Sequence, residues 1–150
     1  MATPTIRPTV GAEEYPRLVG IWRSAVDATH AFLADVHRDE IENRVASDYF
    51  PAVTLSVAEI DGRPVGFSGV LDGNLEMLFV DAAQRGSGIG TALLNHAITE
   101  LGATKVDVNE QNDSAAGFYA HSGFDVTSRS VTDEAGRPYP LLHMTLRNSI

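Results

Sequence analysis

The sequence contains no cysteine, which excludes disulfides and a thiolate nucleophile. A covalent acyl-enzyme would have to use serine, and no Gly-x-Ser-x-Gly elbow is present. No apolar run reaches the length of a membrane span. The opening Met1-Ala2-Thr3-Pro4 has no apolar signal core, so a cytoplasmic protein without membrane attachment is expected. The five histidines (His30, His37, His96, His121 and His143) are scattered, with no HxxxH-type pair, and no metal is expected. Repeats, linkers and low-complexity tracts are missing too. Basic residues are scarce: 11 Lys and Arg against 20 Asp and Glu give a formal charge of −9. That balance argues against nucleic acid and favours cationic small molecules or lysine-bearing proteins, although acidity also serves plain solubility. At 150 residues the chain reads as a single domain with room for a core that needs no staples.

What is present is a glycine-rich stretch, Arg85-Gly86-Ser87-Gly88-Ile89-Gly90-Thr91. It follows a short apolar run, Leu75 to Val80, that reads as a buried strand. It precedes a helix whose Ile89, Leu93, Leu94, Ala97, Ile98 and Leu101 recur on one face. Glycines where a loop becomes a helix let backbone N–H groups converge, and the helix start adds partial positive charge. Such a turn holds a diphosphate or another small anion, with Arg85 as a fixed cation beside it. A P-loop would need a lysine after its glycine, and none follows. A dinucleotide fingerprint counted from Gly86 ends on Thr91 instead of glycine. Asp107 could imitate its ribose-binding acid, but the preceding strand comes from a chain of hairpins and not from a βαβ unit. The pattern that fits is Arg-x-x-Gly-x-Gly, as Arg85, Gly88 and Gly90.

A second block, Asn112 to Phe124, reads Asn-x-x-Ala-x-x-x-Tyr-x-x-x-Gly-Phe, with one strand (Lys105 to Asn109) between it and the loop. Asn112 is also a good helix N-cap and Gly123 a natural terminator. Tyr119 is the residue that packing explains least. The two ordered blocks together resemble the GNAT superfamily of acetyl-CoA-dependent N-acetyltransferases, in its small bacterial form. The resemblance covers about residues 53 to 146 well and the N-terminal third loosely. It implies an α+β fold with a mixed, mostly antiparallel central sheet flanked by helices and splayed between its central strands. It also implies acetyl-CoA as cosubstrate. Its diphosphate would lie on Arg85, Gly86, Ser87, Gly88, Ile89, Gly90 and Thr91, near Asn112. Its pantetheine arm would run along Leu78, Phe79 and Val80.

The element order agrees. A strand at Thr5 to Arg7 precedes a helix over Glu13 to Thr29 and a second over Arg38 to Asp48. Strands at Val53 to Ile60 and Pro64 to Leu71 are joined by Asp61-Gly62, the strongest hairpin signal in the chain. Asp72-Gly73-Asn74 turns into the strand before the cradle. Strands at Val126 to Val131 and Leu141 to Leu146 close the order β-α-α-β-β-β-α-β-α-β-β.

Acetyl transfer to an amine requires a neutral nitrogen, and the departing thiolate benefits from a proton or hydrogen bond. For an amine of pKa about 10.4, deprotonation near pH 7.4 costs about 4 kcal/mol. The resemblance assigns Tyr119 as general acid to the thiolate, with a backbone N–H near Phe79 or Val80 for the oxyanion. Glu76, between Leu75 and Met77, is the favoured base; Asp107, Glu110 and a water chain are the alternatives. The acceptor site is expected from His30 and Phe32 in Asp27 to Leu33, closed by Tyr139 in Tyr139 to Leu142. The expected acceptor is a small-molecule primary amine, a protein lysine or an N-terminus, used by a monomer or a homodimer. A non-catalytic acyl-CoA-sensing module with a protein partner is the competing reading, and a longer acyl group such as succinyl a third.

Overall fold

A computed structural model describes residues 3–147; Met1 and Ala2, part of the stretch read for export, lie outside them. The elements are β1 (Thr5–Pro8), α1 (Tyr15–Thr29), α2 (Asp35–Arg44), β2 (Thr54–Ile60), β3 (Arg63–Leu71), β4 (Asn74–Val80), α3 (Ile89–Leu101), β5 (Lys105–Asn109), α4 (Asp113–His121), β6 (Phe124–Ser130) and β7 (Leu141–Leu146). The seven strands form one sheet in the order β1-β2-β3-β4-β5-β7-β6. Every neighbouring pair is antiparallel except β4 and β5. The architecture is α+β, a mixed sheet flanked by helices. No helix among the described residues is long and apolar enough to cross a membrane.

Helix α1 lays Leu18, Ile21, Trp22 and Val26 on one face of the sheet, against Val57, Phe67 and Phe50. The opposite face takes α3 and α4, where Leu94, Ala97 and Tyr119 pack with Val106, Val108, Phe124 and Met144. Ile89 and Leu93 at the start of α3 meet Ala58 and Val65. The second helix departs from its expected span. It begins at Asp35 and ends at Arg44, and Val45–Tyr49 form one wider π turn. Ile41 and Val45 satisfy a regular i, i+4 spacing, so the sequence pattern continues through the turn. The π turn instead delivers both Val45 and Phe50, each about 1% exposed, to the core. The sixth strand also starts earlier than read, at Phe124, because that ring is itself core.

Strand β4 carries the feature that shapes the site. Gly69 faces Met77 while Val70 faces Leu75, so Glu76 is an extra residue on β4, a bulge. The bulge reverses the inside–outside alternation. Leu75 belongs to the cluster under α3 and α4, whereas Met77 and Phe79 lie with the cluster under α1. An unbulged strand would put Leu75 and Met77 on the same face. Past the bulge, β4 leaves β5: only Asn74–Lys105 and Leu75–Val106 pair before the strands part.

Candidate active site

The gap between β4 and β5 opens into two cavities. The first, of about 350 Å³, is bounded by Leu78, Phe79 and Val80 of β4, by the glycine-rich loop and by α4. Gly88 caps α3 in a left-handed conformation, with φ of 85°, and an added Cβ there would meet nothing within 4 Å. The loop therefore offers bare backbone at the helix start, the arrangement that accepts an anion. Its entrance is fastened to α1: Arg17 bonds the Pro64 carbonyl and the Asp81 carboxylate, which also accepts from Ser24 and from the Ala83 N–H. Burial pushes the Asp81 carboxyl up, but the bonds from Ala83, Arg17 and Ser24 outweigh it and hold the pKa below its ordinary value.

Arg85, Gly86, Gly88, Ile89, Gly90, Thr91, Asn112 and Tyr119 all border this cavity, as read from the sequence. Ser87 does not; its hydroxyl turns back to the Gln84 carbonyl. The Asn112 side chain caps α4, its Oδ1 accepting the Ala115 N–H at 3.1 Å. Tyr119 is 7% exposed, between the rings of Phe118 and Phe124. Burial alone raises its pKa, with no hydrogen bond or neighbouring charge contributing. Its phenol therefore stays protonated at neutral and mildly alkaline pH.

The second cavity, of about 440 Å³, lies on the α1 side. Trp22, Val26, Leu33, Ile41 and Met77 make an apolar wall, and Glu76, Asp107 and Glu134 supply carboxylates. Glu76 is exposed on its bulge; partial burial, then Glu134 and Asp107, raise its pKa against a bond from Asn74 that lowers it. Tyr139 borders this cavity too, but its hydroxyl is engaged: it accepts the Ala34 N–H at 3.0 Å and meets His37 Nδ1. It thus ties the β6–β7 connection to the α1–α2 loop. Phe32 stands behind the wall, against His30 and Tyr139 with ring centres 5.2 and 6.1 Å away, and borders neither cavity. His30 and Phe79 border both.

Of the other carboxylates weighed as bases, Glu110 is bound to Arg129 on the surface. Asp107 heads a relay that the sequence reading missed. Its Oδ1 is 2.6 Å from His143 Nδ1, and His143 Nε2 is 2.6 Å from Ser130 Oγ. Asp107 and His143 are direct register partners on β5 and β7. Only the strand order could have revealed them, since 36 residues separate the two.

The description of an acetyltransferase (GNAT) domain matches residues 11–147 of this chain. The chain belongs to the GNAT acetyltransferase family and is an N-acetyltransferase. It is 47% identical to the peptidyl-lysine N-acetyltransferase YjaB of Salmonella typhimurium, over 88% of this chain and 91% of that protein. Its structure resembles the solution structure of apo-form YjaB from Escherichia coli, with a TM-score of 0.88 and 41% identity, covering 97% of this chain and 98% of that one. The fold also matches that of PaiA N-acetyltransferase from Thermoplasma acidophilum in complex with coenzyme A. There the TM-score is 0.72 at 18% identity, over 95% of this chain and 99% of that one.

Proposed function

We propose that this protein transfers the acetyl group of acetyl-CoA to the side-chain amine of protein lysines. One observation carries the reading: two cavities, one bordered by the glycine-rich loop and Arg85 and the other by Glu76, Asp107 and Glu134, meet at Phe79 of the splayed strand β4. The first suits a diphosphate and an extended arm, the second an alkyl chain that ends in a cation. Trp22, Val26 and Leu33 would line the lysine methylenes, and Glu76, Asp107 and Glu134 would attract its ammonium. The similarity to peptidyl-lysine acetyltransferases supports the same acceptor.

In this mechanism coenzyme A lies with its diphosphate on the N–H groups at the start of α3 and its arm along Leu78 to Val80, in place of the strand partner that β4 lacks. Thr91, Arg85 and Asn112 border the same path. Making the amine neutral near pH 7.4 costs about 4 kcal/mol for an amine of pKa about 10.4, and Glu76 collects the proton that leaves. The neutral nitrogen attacks the thioester carbonyl directly, and a backbone N–H near Phe79 or Val80 receives the oxyanion. The carbon–sulfur bond then breaks and Tyr119 protonates the departing thiolate. A cytoplasmic place of action goes with this reading. The test is thiol release with acetyl-CoA and lysine peptides, with mass spectrometry of the product. Acetyl on the lysine Nζ is expected; release only with small amines, or none, would overturn the acceptor assignment.

A further inference from the structure

His30 has no task in the mechanism above, yet it borders both cavities. It closes the C-terminus of α1, where its N–H bonds the Val26 carbonyl. Its Nδ1 lies 2.7 Å from Thr29 Oγ1, which lies 2.8 Å from the Ala25 carbonyl oxygen. A carbonyl oxygen only accepts, so the single hydroxyl hydrogen of Thr29 is spent on Ala25. The hydroxyl then offers a lone pair to the ring, and the hydrogen between them belongs to His30 Nδ1. One tautomer follows. Nε2 carries a bare lone pair, with no hydrogen-bond partner among the described residues, on a ring exposed to both cavities. The Phe32 ring, 5.2 Å away, packs against the imidazole. Burial lowers the pKa of this histidine, so the free-base form dominates at neutral pH.

We propose that Nε2 of His30 is the acceptor for the second proton of the lysine nitrogen, the one that becomes acidic only after that nitrogen has bonded to the acetyl carbon. The inference rests on the lysine acetyltransfer reading. A lysine ammonium loses two protons on its way to an amide. The first leaves before attack, to Glu76. The nitrogen lone pair then forms the N–C bond and the carbonyl π pair moves to oxygen, leaving a positive nitrogen with two hydrogens. Nε2 takes one of them. The oxygen pair re-forms the carbonyl, the C–S pair leaves with sulfur, and sulfur takes the Tyr119 proton. Two protons are collected by the protein and one is given up, so one reaches solvent per turnover, as the overall reaction requires. A neutral imidazole is well matched to this nitrogen, which the new bond has made far more acidic than a free ammonium.

The charged groups that share a cavity with the ring agree with this use. In the acceptor cavity, Glu76 of β4, Asp107 of β5, and Asp133 and Glu134 of the β6–β7 connection would stabilise the transient imidazolium. Arg137 lies there as well, paired with Asp133 and Glu40. On the other side are Arg85, beside the expected diphosphate, and the neutral phenol of Tyr119.

The tautomer can be read directly from long-range proton–nitrogen NMR spectra of the labelled protein near pH 7. A protonated Nδ1 and a bare Nε2 are expected for His30; a hydrogen on Nε2 overturns the proposal. In kinetics with acetyl-CoA and a lysine peptide, His30→Gln should lower kcat by about 10²–10⁴-fold with little change in KM for either substrate, and should shift the acidic limb of the kcat profile by removing one of its two ionisations. Added imidazole should restore turnover to His30→Ala in proportion to its free-base fraction. Unchanged kcat and limb in His30→Gln, or indifference of His30→Ala to imidazole, would overturn the assignment. If the wild-type protein releases no thiol with lysine peptides, the lysine reading falls and the role of His30 with it, whereas a hydrogen on Nε2 in a protein that does acetylate lysine overturns the role of His30 alone.

Discussion

Replacing Tyr119 by phenylalanine separates chemistry from stability more cleanly than any other change in this site. The hydroxyl sits on a residue 7% exposed, and burial is the only influence on its pKa, so no hydrogen bond is lost with it. The two rings that flank it, 5.2 and 5.8 Å away, keep their packing. Removing a hydroxyl that borders the cavity and has no hydrogen-bond partner among the described residues should leave stability within about 1 kcal/mol of wild type. Turnover should instead fall about 10²–10⁴-fold, or about 3–5 kcal/mol of transition-state stabilisation, with acetyl-CoA affinity nearly unchanged. The pH dependence has a definite sign. The folded pKa is raised, so the contribution of Tyr119 to stability is complete below the unfolded value of about 10 and is lost as pH climbs beyond it. Thermal melts of the wild type should therefore decline above pH 10 more steeply than those of Tyr119→Phe. Thiol-release kinetics and calorimetry measure both effects. Full turnover in the variant, with a verified lysine peptide, would refute the acid assignment and leave Tyr119 a packing residue.

Gly88→Leu should abolish calorimetric binding of coenzyme A. The side chain enters open space at the start of α3, and the left-handed backbone adds a fold cost of about 1–2 kcal/mol; retained affinity in the folded variant would remove the cradle assignment. Glu76→Gln should raise the melting temperature at neutral pH. A carboxyl with a raised pKa contributes stability below its unfolded pKa and loses it as pH rises, so the gain should vanish in acid. The same variant should alter the rising limb of kcat/KM; a limb that follows the amine's basicity and ignores the substitution would show that Glu76 is not the first base. Gly69→Ala should destabilise by about 1–3 kcal/mol in urea melts, because its Cβ would fall 2.7 Å from Val53 Cγ2 and 2.9 Å from Met77 Cε, beside the bulge.

Local chemistry was legible in the sequence; long-range register was not. Lys105–Asn109 and Leu141–Leu146 match their expected ends because turn residues bound short alternating runs. The loop at Arg85 to Thr91 and the cap at Asn112 were readable because glycine and asparagine state their backbone roles locally. The bulge at Glu76 was not, since an acid between two apolar residues reads as ordinary alternation. Nor was the π turn at Val45–Tyr49, where the regular spacing of Ile41 and Val45 runs straight through. The Asp107–His143–Ser130 relay and the Tyr139–Ala34 bond depend on strands and loops far apart in the chain.

The parting of β4 from β5 also creates a sheet edge in the interior of a sheet. Between Glu76 and Val80 the amides that face the gap have no strand beside them, on a segment whose side chains are apolar from Met77 onward. On an outer strand such an edge invites pairing with foreign chains. Here β5 shields it, and only something as slim as an extended chain can reach it. Hydrogen exchange should therefore be fast at these amides in the free protein and slow when the gap is filled, while β3 stays protected throughout. Filling the gap also bridges two ladders that share just two pairs, so an occupant at 100 times its Kd, worth about 2.7 kcal/mol of stability, would close the sheet along its weakest line.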